Sequence, residues 1–154
     1  MKKILSTLAV FMVFCAVSQA QTIGFLRNAQ SRITADMGPV KARWEKLLAE
    51  QQHETTLTDF TIKSGLDKST QKTYYILIAT NRNKSIKIAE LLKLKGNGDF
   101  IFMPKAESNN VGTVVCSGCA TGCNPEILEG KWVCDPECPS AETPCQKSVT
   151  ASIP

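Results

Sequence analysis

The residues with the clearest chemical potential are six cysteines near the C-terminal end. They lie within 30 residues, whereas residues 21–115 contain none. The six are Cys116, Cys119, Cys123, Cys134, Cys138 and Cys145. A segment this short and this rich in Pro and Gly cannot be stabilised by burial alone, so crosslinks through disulfides or a metal ion are expected. Each disulfide would contribute ~2–4 kcal/mol by restricting the unfolded chain.

Metal binding and disulfide formation make different use of these thiols. Cys116 and Cys119 with Cys134 and Cys138 would supply four thiolates at roughly the spacing of a zinc ribbon. The most characteristic ribbon has two residues between the cysteines of both pairs, whereas the second pair here has three, and two cysteines would be left over. The number of cysteines, six, is even and therefore favours three disulfides. The sequence leaves their connectivity open.

Thiol–disulfide exchange is a further use of the Cys116-Ser117-Gly118-Cys119 segment. A redox pair of this kind is placed at a helix N-terminus after a strand, where the helix dipole lowers the pKa of one thiol. A strand is predicted before Cys116, but the residues that follow Cys119 are Ala-Thr-Gly-Cys-Asn-Pro, which do not predict a helix. We therefore expect a structural role for these cysteines.

The N-terminal residues have the three parts of a secretory signal. Lys2 and Lys3 precede an apolar run from Ile4 to Val17, and small residues at Ser18 and Ala20 indicate cleavage after residue 20. The Lys-Lys start is typical of bacteria. The run is shorter than the ~20 apolar residues of a membrane-spanning helix, so we expect no membrane span after cleavage. The sequence predicts export to the periplasm or the extracellular space.

Export also bears on the cysteines, because disulfides form and persist outside the cytoplasm. A lipid anchor on Cys15 is the alternative to simple cleavage. Phe14 disfavours it, since the residue before an acylated cysteine is small.

Charge and length limit the classes of protein that fit. Without Lys2 and Lys3 the 18 basic residues become 16 against 14 acidic ones, so the net charge falls from +4 to +2. That bias is too weak for a nucleic-acid-binding protein. The 134 residues left after cleavage suit one domain.

The body of the chain predicts one good helix. Pro39–His53 begins with a residue suited to the first helical turn and repeats apolar side chains every three or four positions, at Val40, Trp44, Leu47 and Leu48. Residues 22–35 give only weak signals, and the helical spacing of their apolar side chains is compatible with a short helix.

Strand patterns follow the helix. They cover Thr58–Ile62, Thr73–Thr80, Ser85–Lys95, Phe100–Met103 and Gly112–Cys116, with a polar loop at 64–71. Ser85–Lys95 also fits a helix, but turn signals on both sides favour a strand. The predicted fold is α+β: an N-terminal amphipathic helix packed on a small antiparallel meander, followed by an irregular, disulfide-rich C-terminal module. The predicted units are a signal at 1–20, a body at 21–111 and the module at 112–150.

Three other features have a structural and a functional interpretation. Trp132 is expected to form the small core of the module or, if exposed, to contact a partner. His53, the single histidine, is expected to be solvated or to cap the helix. Four lysines are expected on the solvent-facing side of the sheet: Lys84, Lys87, Lys93 and Lys95.

The sequence as a whole favours a small exported protein that is not an enzyme and needs no cofactor. It would bind or support an unknown protein or cell-surface partner through a surface held in shape by disulfides. The alternative from another class is a metal-binding or thiol-redox protein that uses the cysteines of 116–145. A hydrolase with an unrecognised site is the third hypothesis, and a pocket with converging acids or His53 would indicate it.

Overall fold

The structure, a computed structural model, describes residues 21–107, 112–118, 122–136 and 144–150. The predicted signal at 1–20 lies outside the described residues. The elements are β1 (Thr22–Arg27), β2 (Gln30–Ile33), α1 (Gly38–Glu50), β3 (Leu57–Asp67), β4 (Lys72–Asn81), β5 (Ile86–Leu94), β6 (Asp99–Phe102), a 3-10 turn (Lys105–Glu107), β7 (Thr113–Ser117), β8 (Cys123–Leu128), β9 (Lys131–Pro136) and β10 (Gln146–Thr150). The described chain is therefore mostly antiparallel β-structure with one α-helix.

An eight-stranded sheet is organised around β5. One edge of β5 pairs with β4, and the other edge pairs first with β7, from Ile86 to Ala89, and then with β6, from Leu92 to Leu94. The order then continues through β6, β1 and β2 on one branch and through β7 and β10 on another, while β3 extends the sheet beyond β4. All these pairs are antiparallel.

The sheet curls into a half-barrel around the helix. The hydroxyl of Ser31 in β2 donates a hydrogen bond of 3.2 Å to the carbonyl of Ile62 in β3, although these strands end opposite branches of the sheet. Val40, Trp44 and Leu48 are buried along one face of α1. The Trp44 ring stacks on Phe60 with centroids 5.9 Å apart. The predicted amphipathic helix is thus confirmed, and its apolar face fills the concave side of the sheet.

The two ends of α1 use local backbone chemistry. Asp36 Oδ1 accepts a hydrogen bond of 2.9 Å from the Gly38 amide, which satisfies one donor at the start. At the other end, Gln52 has a left-handed φ of 64°, and the amides of Gln52 and His53 donate to the carbonyls of Ala49 and Leu48. This is the Schellman arrangement, and it turns the chain sharply towards β3.

A second layer covers the convex side of the sheet. β8 and β9 form a two-stranded hairpin whose Ile127 and Trp132 pack against the sheet residues Ile76, Leu91 and Val114. The hairpin turn, Glu129-Gly130, has left-handed φ values of 53° and 69°, as a two-residue type I′ turn requires. The molecule has three layers in its described part: helix, sheet and hairpin.

Several expectations about elements were wrong. Residues 22–35 form the β1–β2 hairpin and not a helix, so α1 is not the N-terminal element of the body. The 64–71 segment is not all loop, because β3 extends to Asp67. The cysteine-rich segment is not irregular: it contains a regular hairpin, and β7 and β10 belong to the main sheet. The choice of a strand for Ser85–Lys95 is confirmed, since β5 spans Ile86–Leu94.

Candidate functional site

Two disulfides connect the described cysteines. Cys116 in β7 bonds to Cys134 in β9, and Cys123 at the start of β8 bonds to Cys145 just before β10. The first bond crosses from the sheet to the hairpin. The second ties the beginning of the hairpin to the strand at the end of the sheet. Cys119 and Cys138 lie outside the described residues.

The Cys116 pairing bears on both alternative uses of the thiols. Cys116 and Cys134 were assigned to the same four-thiolate metal set, but they are bonded to each other and cannot act as thiolate ligands in this state. Cys116 is also fully buried within a strand, and Cys123 begins another strand, so the context of a redox pair at a helix N-terminus is not present in the described segments. Within those segments no three His, Cys, Asp or Glu side chains are grouped to hold a metal ion.

Trp132 occupies the interface between hairpin and sheet. Its side chain is 3% exposed, and its indole nitrogen donates a hydrogen bond of 2.9 Å to the Gly112 carbonyl. Trp132 therefore lies in the core between the hairpin and the sheet, as one of the two expectations had it. It is not exposed, so the expectation of an exposed partner contact was wrong. The residue stabilises the layer that the disulfides attach.

Asp67, which sequence reasoning missed, fastens the tip of the hairpin. Its carboxylate accepts hydrogen bonds from the backbone amides of Glu129, at 3.2 Å, and Gly130, at 3.0 Å. It also accepts 2.6 Å and 3.0 Å bonds from the hydroxyl and amide of Ser69. The Ser69 hydroxyl bond is the main reason that the pKa of Asp67 lies far below its usual value, and the Gly130 amide lowers it further. An ionised Asp67 thus joins the β3–β4 turn to the β8–β9 turn.

Lys87 makes a second polar contact beneath the hairpin. Its ammonium group donates to the Asn124 side-chain oxygen in β8, and the residue is only 7% exposed. The expectation that Lys87 lies on a solvent-facing side is therefore wrong, because the hairpin covers that part of β5. Gly122, just before β8, lets the start of the hairpin lie close to the turn between β4 and β5. A Cβ at this position would be 2.1 Å from the Lys84 carbonyl oxygen, and the φ of Gly122 is 78°.

Glu90 is the buried carboxylate on the helix side. It is 7% exposed and accepts a 2.8 Å hydrogen bond from the Arg43 guanidinium, with longer contacts of 3.4 Å from Trp44 Nε1 and Thr113 Oγ1. Burial raises the pKa of Glu90, and the Arg43 charge partly opposes that shift. Because these hydrogen bonds come from α1 and β7, the side chain connects the helix to the sheet.

A shallow polar groove lies where the C-terminal end of α1 meets β7 and β10. It has a volume of about 230 Å³, and its lining comprises Gln51, His53, Val115, Ser117, Gln146, Lys147 and Ser148. Gln51 spans the groove to the last strand, with Nε2 donating 3.0 Å to Thr150 Oγ1. Its other amide atom, Oε1, is buried and is the one side-chain polar atom without a partner among the buried atoms of the described ranges.

β10 presents an edge beside this groove. It pairs with β7 through Gln146–Thr150, and no other strand within the described ranges pairs with it. Val149 on this edge is 44% exposed. Lys147 could shield the edge by its charge, but its ammonium group instead donates 2.9 Å to the Trp132 carbonyl.

His53 is one of the residues that line the groove. Within the described chain, the His53 ring forms no hydrogen bond with a carboxylate or hydroxyl group. The two buried carboxylates, Asp67 and Glu90, accept their hydrogen bonds from groups outside the groove. The groove therefore offers hydroxyls, amides and a strand edge, which are groups for binding.

Comparison with protein-family models, with curated proteins and with solved structures finds no match for this chain. In the described segments, no helix has both the length and the apolar character needed to cross a bilayer.

Proposed function

We propose that this protein is a small exported binding protein without enzymatic activity. Its partner is an extended polypeptide segment, which binds along the edge of β10. The observation that carries the proposal is the position of β10 at the end of one branch of the sheet, where β7 is the one described strand that pairs with it, beside a polar groove. A strand that adds to a sheet edge gains main-chain hydrogen bonds, and its alternate side chains enter the neighbouring pocket. Here that pocket would be the polar groove.

The disulfides support this proposal because they hold the edge in place. Cys145 precedes β10 by one residue and is bonded to Cys123, while Cys116, which pairs across from Lys147, is bonded to Cys134. An edge strand that is already ordered loses less conformational entropy when a partner binds. The same disulfides support the predicted export, since such bonds persist in oxidising compartments.

We further propose that Cys119 and Cys138 form the third disulfide, because the other four cysteines of the mature chain are already paired. The intact mass of the exported protein should then be six hydrogens below that of its reduced form. A mass equal to that of a chain with two disulfides, together with retained zinc after denaturation, would instead support the metal alternative.

Site-specific photo-crosslinking tests the binding role. A benzoylphenylalanine in place of Val149 would stand on the β10 edge, and the same residue in place of Leu66, which is 50% exposed on β3, is the matched control. We expect position 149, and not position 66, to form an adduct whose crosslinked peptide is an extended segment of the partner. Equal labelling from both positions, or none from 149, would contradict the proposal.

An activity screen tests the statement that the protein is not an enzyme. The oxidised protein would be incubated with chromogenic esters, glycosides and peptides, beside the variants His53→Ala and Glu90→Gln. We expect no turnover above the rate of the heat-denatured protein. Turnover that one of these substitutions abolishes would establish an enzyme and refute this part of the proposal.

A further inference from the structure

We propose that a groove on the β1–β2 hairpin, the β1–β2 groove, binds a phosphate monoester group through Arg27 and Arg32. The groove has a volume of about 260 Å³, and both arginines line it beside Phe25. None of its lining residues belongs to β10 or to the groove at the end of α1, so the inference goes beyond the proposed peptide-binding role and does not depend on it.

Both arginines lie on the convex side of the sheet. Leu26 and Ile33, at the neighbouring positions of the two strands, pack against the core on the helix side. Because successive side chains of a strand point to opposite faces, Arg27 and Arg32 point away from the helix. The β8–β9 hairpin packs on the convex side over β4, β5 and β7, whereas both arginines are exposed. A ligand can therefore reach them.

The strand pairing brings the two guanidinium groups within reach of one anion. Phe25 is directly opposite Arg32, and Arg27 is two residues further along β1. Arg27 and Arg32 are thus diagonal neighbours on one face of the sheet. Such neighbours are about 7–8 Å apart at the backbone, a separation that long side chains span. One small group between them can contact both guanidinium groups.

The Phe25 ring holds the Arg27 side chain in place. The guanidinium carbon of Arg27 lies 4.9 Å from the ring centroid, at which distance the cation is attracted to the aromatic face. The ring takes up none of the conventional hydrogen bonds of the guanidinium, so its N–H groups stay available to an oxyanion. Because the side chain is already ordered, less conformational entropy is lost when an anion binds.

Neither arginine forms an ion pair with an acid in the described part of the chain. Three other cations of that part do form ion pairs: Lys41, Arg43 and Lys93. One acid shares the face of the arginines, since Asp99 on β6 stands opposite Phe25, and its Oδ2 accepts a 2.8 Å hydrogen bond from the Asn97 side chain. Two positive charges beside one negative charge leave an excess that attracts anions.

A phosphate monoester matches two guanidinium groups better than a carboxylate does. It carries a charge of about −1.5 to −2 at neutral pH and has three terminal oxygens, so it can accept hydrogen bonds from Arg27 and Arg32 together. A carboxylate has one charge and two oxygens, and a single arginine occupies both in a bidentate pair. The arginine pair therefore favours a phosphate monoester, carried by a soluble molecule or by a lipid headgroup.

Titration of the oxidised mature protein with glycerol 3-phosphate tests the site. Amide NMR spectra should show saturable shifts in β1, β2 and their turn, with a Kd in the millimolar range because the groove is open to water. Acetate at the same ionic strength should bind about tenfold more weakly, since it lacks the hydrogen bonds to a second arginine. The absence of saturable shifts with glycerol 3-phosphate would overturn the inference, and an equal Kd for acetate would overturn the ligand class.

Three matched variants separate this site from attraction by net charge. Arg27→Gln and Arg32→Gln each remove one guanidinium, and each should raise the Kd for glycerol 3-phosphate by about tenfold. Arg82→Gln makes the same change in net charge at an exposed position between β4 and β5, and it should leave the Kd unchanged. Unchanged amide shifts away from the substitution show that each variant is folded. Equal weakening by all three variants would contradict the site.

Vesicles distinguish the two sources of the phosphate group. Phosphatidylcholine vesicles that contain phosphatidic acid present a monoester on a lipid, whereas those that contain phosphatidylglycerol present a diester with a single charge. Sedimentation with the phosphatidic acid vesicles, abolished by Arg27→Gln, would identify a lipid source. Binding of glycerol 3-phosphate without binding to vesicles would identify a soluble one. Equal sedimentation with both kinds of vesicle would contradict the preference for a monoester.

Discussion

Removal of the disulfide between β7 and β9 provides the most direct test of how the hairpin is attached. The double variant Cys116→Ala with Cys134→Ala breaks the covalent bond from the sheet to the hairpin and leaves Cys123–Cys145 in place. The matched double variant, Cys123→Ala with Cys145→Ala, breaks the other bond. In both cases one partner is fully buried and the other is partly exposed, so the two changes in packing are similar.

The lengths of the two closed loops set the expected loss in the free energy of unfolding. The two cysteines of the first bond are 18 residues apart in sequence, and those of the second are 22 apart. Restriction of an unfolded loop of either length lowers its entropy by about 11 cal/mol/K, which is about 3 kcal/mol at 25 °C. Because the dependence on length is logarithmic, the two variants should lose the same free energy of unfolding to within a few tenths of a kcal/mol.

Urea denaturation followed by fluorescence is a suitable assay because the two tryptophans, Trp44 and Trp132, report on the body and the hairpin respectively. The urea concentration at the midpoint of unfolding should be lower in both variants than in the wild-type protein. Coincidence of fluorescence and circular dichroism curves would show that hairpin and body still unfold together.

A loss below about 1 kcal/mol in either variant would refute the loop-entropy reasoning. So would a large difference between the two variants. Either result would mean that restriction of the unfolded chain does not set how much each bond stabilises the protein.

Four further predictions concern the body and the turns. Trp44→Ala should lower the free energy of unfolding by about 3–5 kcal/mol, measured by urea denaturation, because the ring fills the centre of the half-barrel. Gln52→Gly should raise it by about 0.5 kcal/mol, seen as a higher Tm, because glycine adopts the left-handed φ without the cost of a Cβ. Asp67→Asn should destabilise the protein at neutral pH but not in strong acid. The folded-state pKa of Asp67 is lowered, so its contribution is present above the ordinary aspartate pKa and is lost as the pH falls below it. Glu90→Gln should show the opposite sign, with its most favourable effect above the ordinary glutamate pKa, because burial raises the folded-state pKa and makes the ionised form costly. Unfolding curves from pH 2 to 8 check both; the same pH slope in the wild type and in either variant would contradict the corresponding assignment.

The elements with strong periodic patterns were predictable from the sequence. The helix at Pro39 and the strands β4 and β5 follow from apolar side chains at regular intervals, since these patterns are visible within ten residues. The β1–β2 hairpin was missed because its turn, Asn28-Ala29, lacks the usual glycine, although both residues adopt left-handed φ values of 50° and 60°. A polar strand at a sheet edge, such as β2, lacks the alternation of apolar and polar side chains from which a strand is predicted.

The candidate site was less predictable than the fold. The cysteines were visible as a group, but their pairing depends on which strands lie side by side. Asp67 could have been suspected from Ser69, since an aspartate two residues before a serine often forms a local turn. Nothing local indicates its bonds to Glu129 and Gly130, which are more than 60 residues away in sequence.

The sequence by itself determined that this chain has a cysteine-free body, one amphipathic helix, a set of strands and a crosslinked end. Only the tertiary structure decided that β10 returns to the main sheet as an edge, that Trp132 is buried and that Lys87 is covered. The physical reason is that amphipathic patterns and residue composition are local, whereas pairing partners, burial and edge exposure depend on contacts between distant segments. The groove at β10 belongs to the second kind, because α1, β7 and β10 form it only when the sheet has curled around the helix.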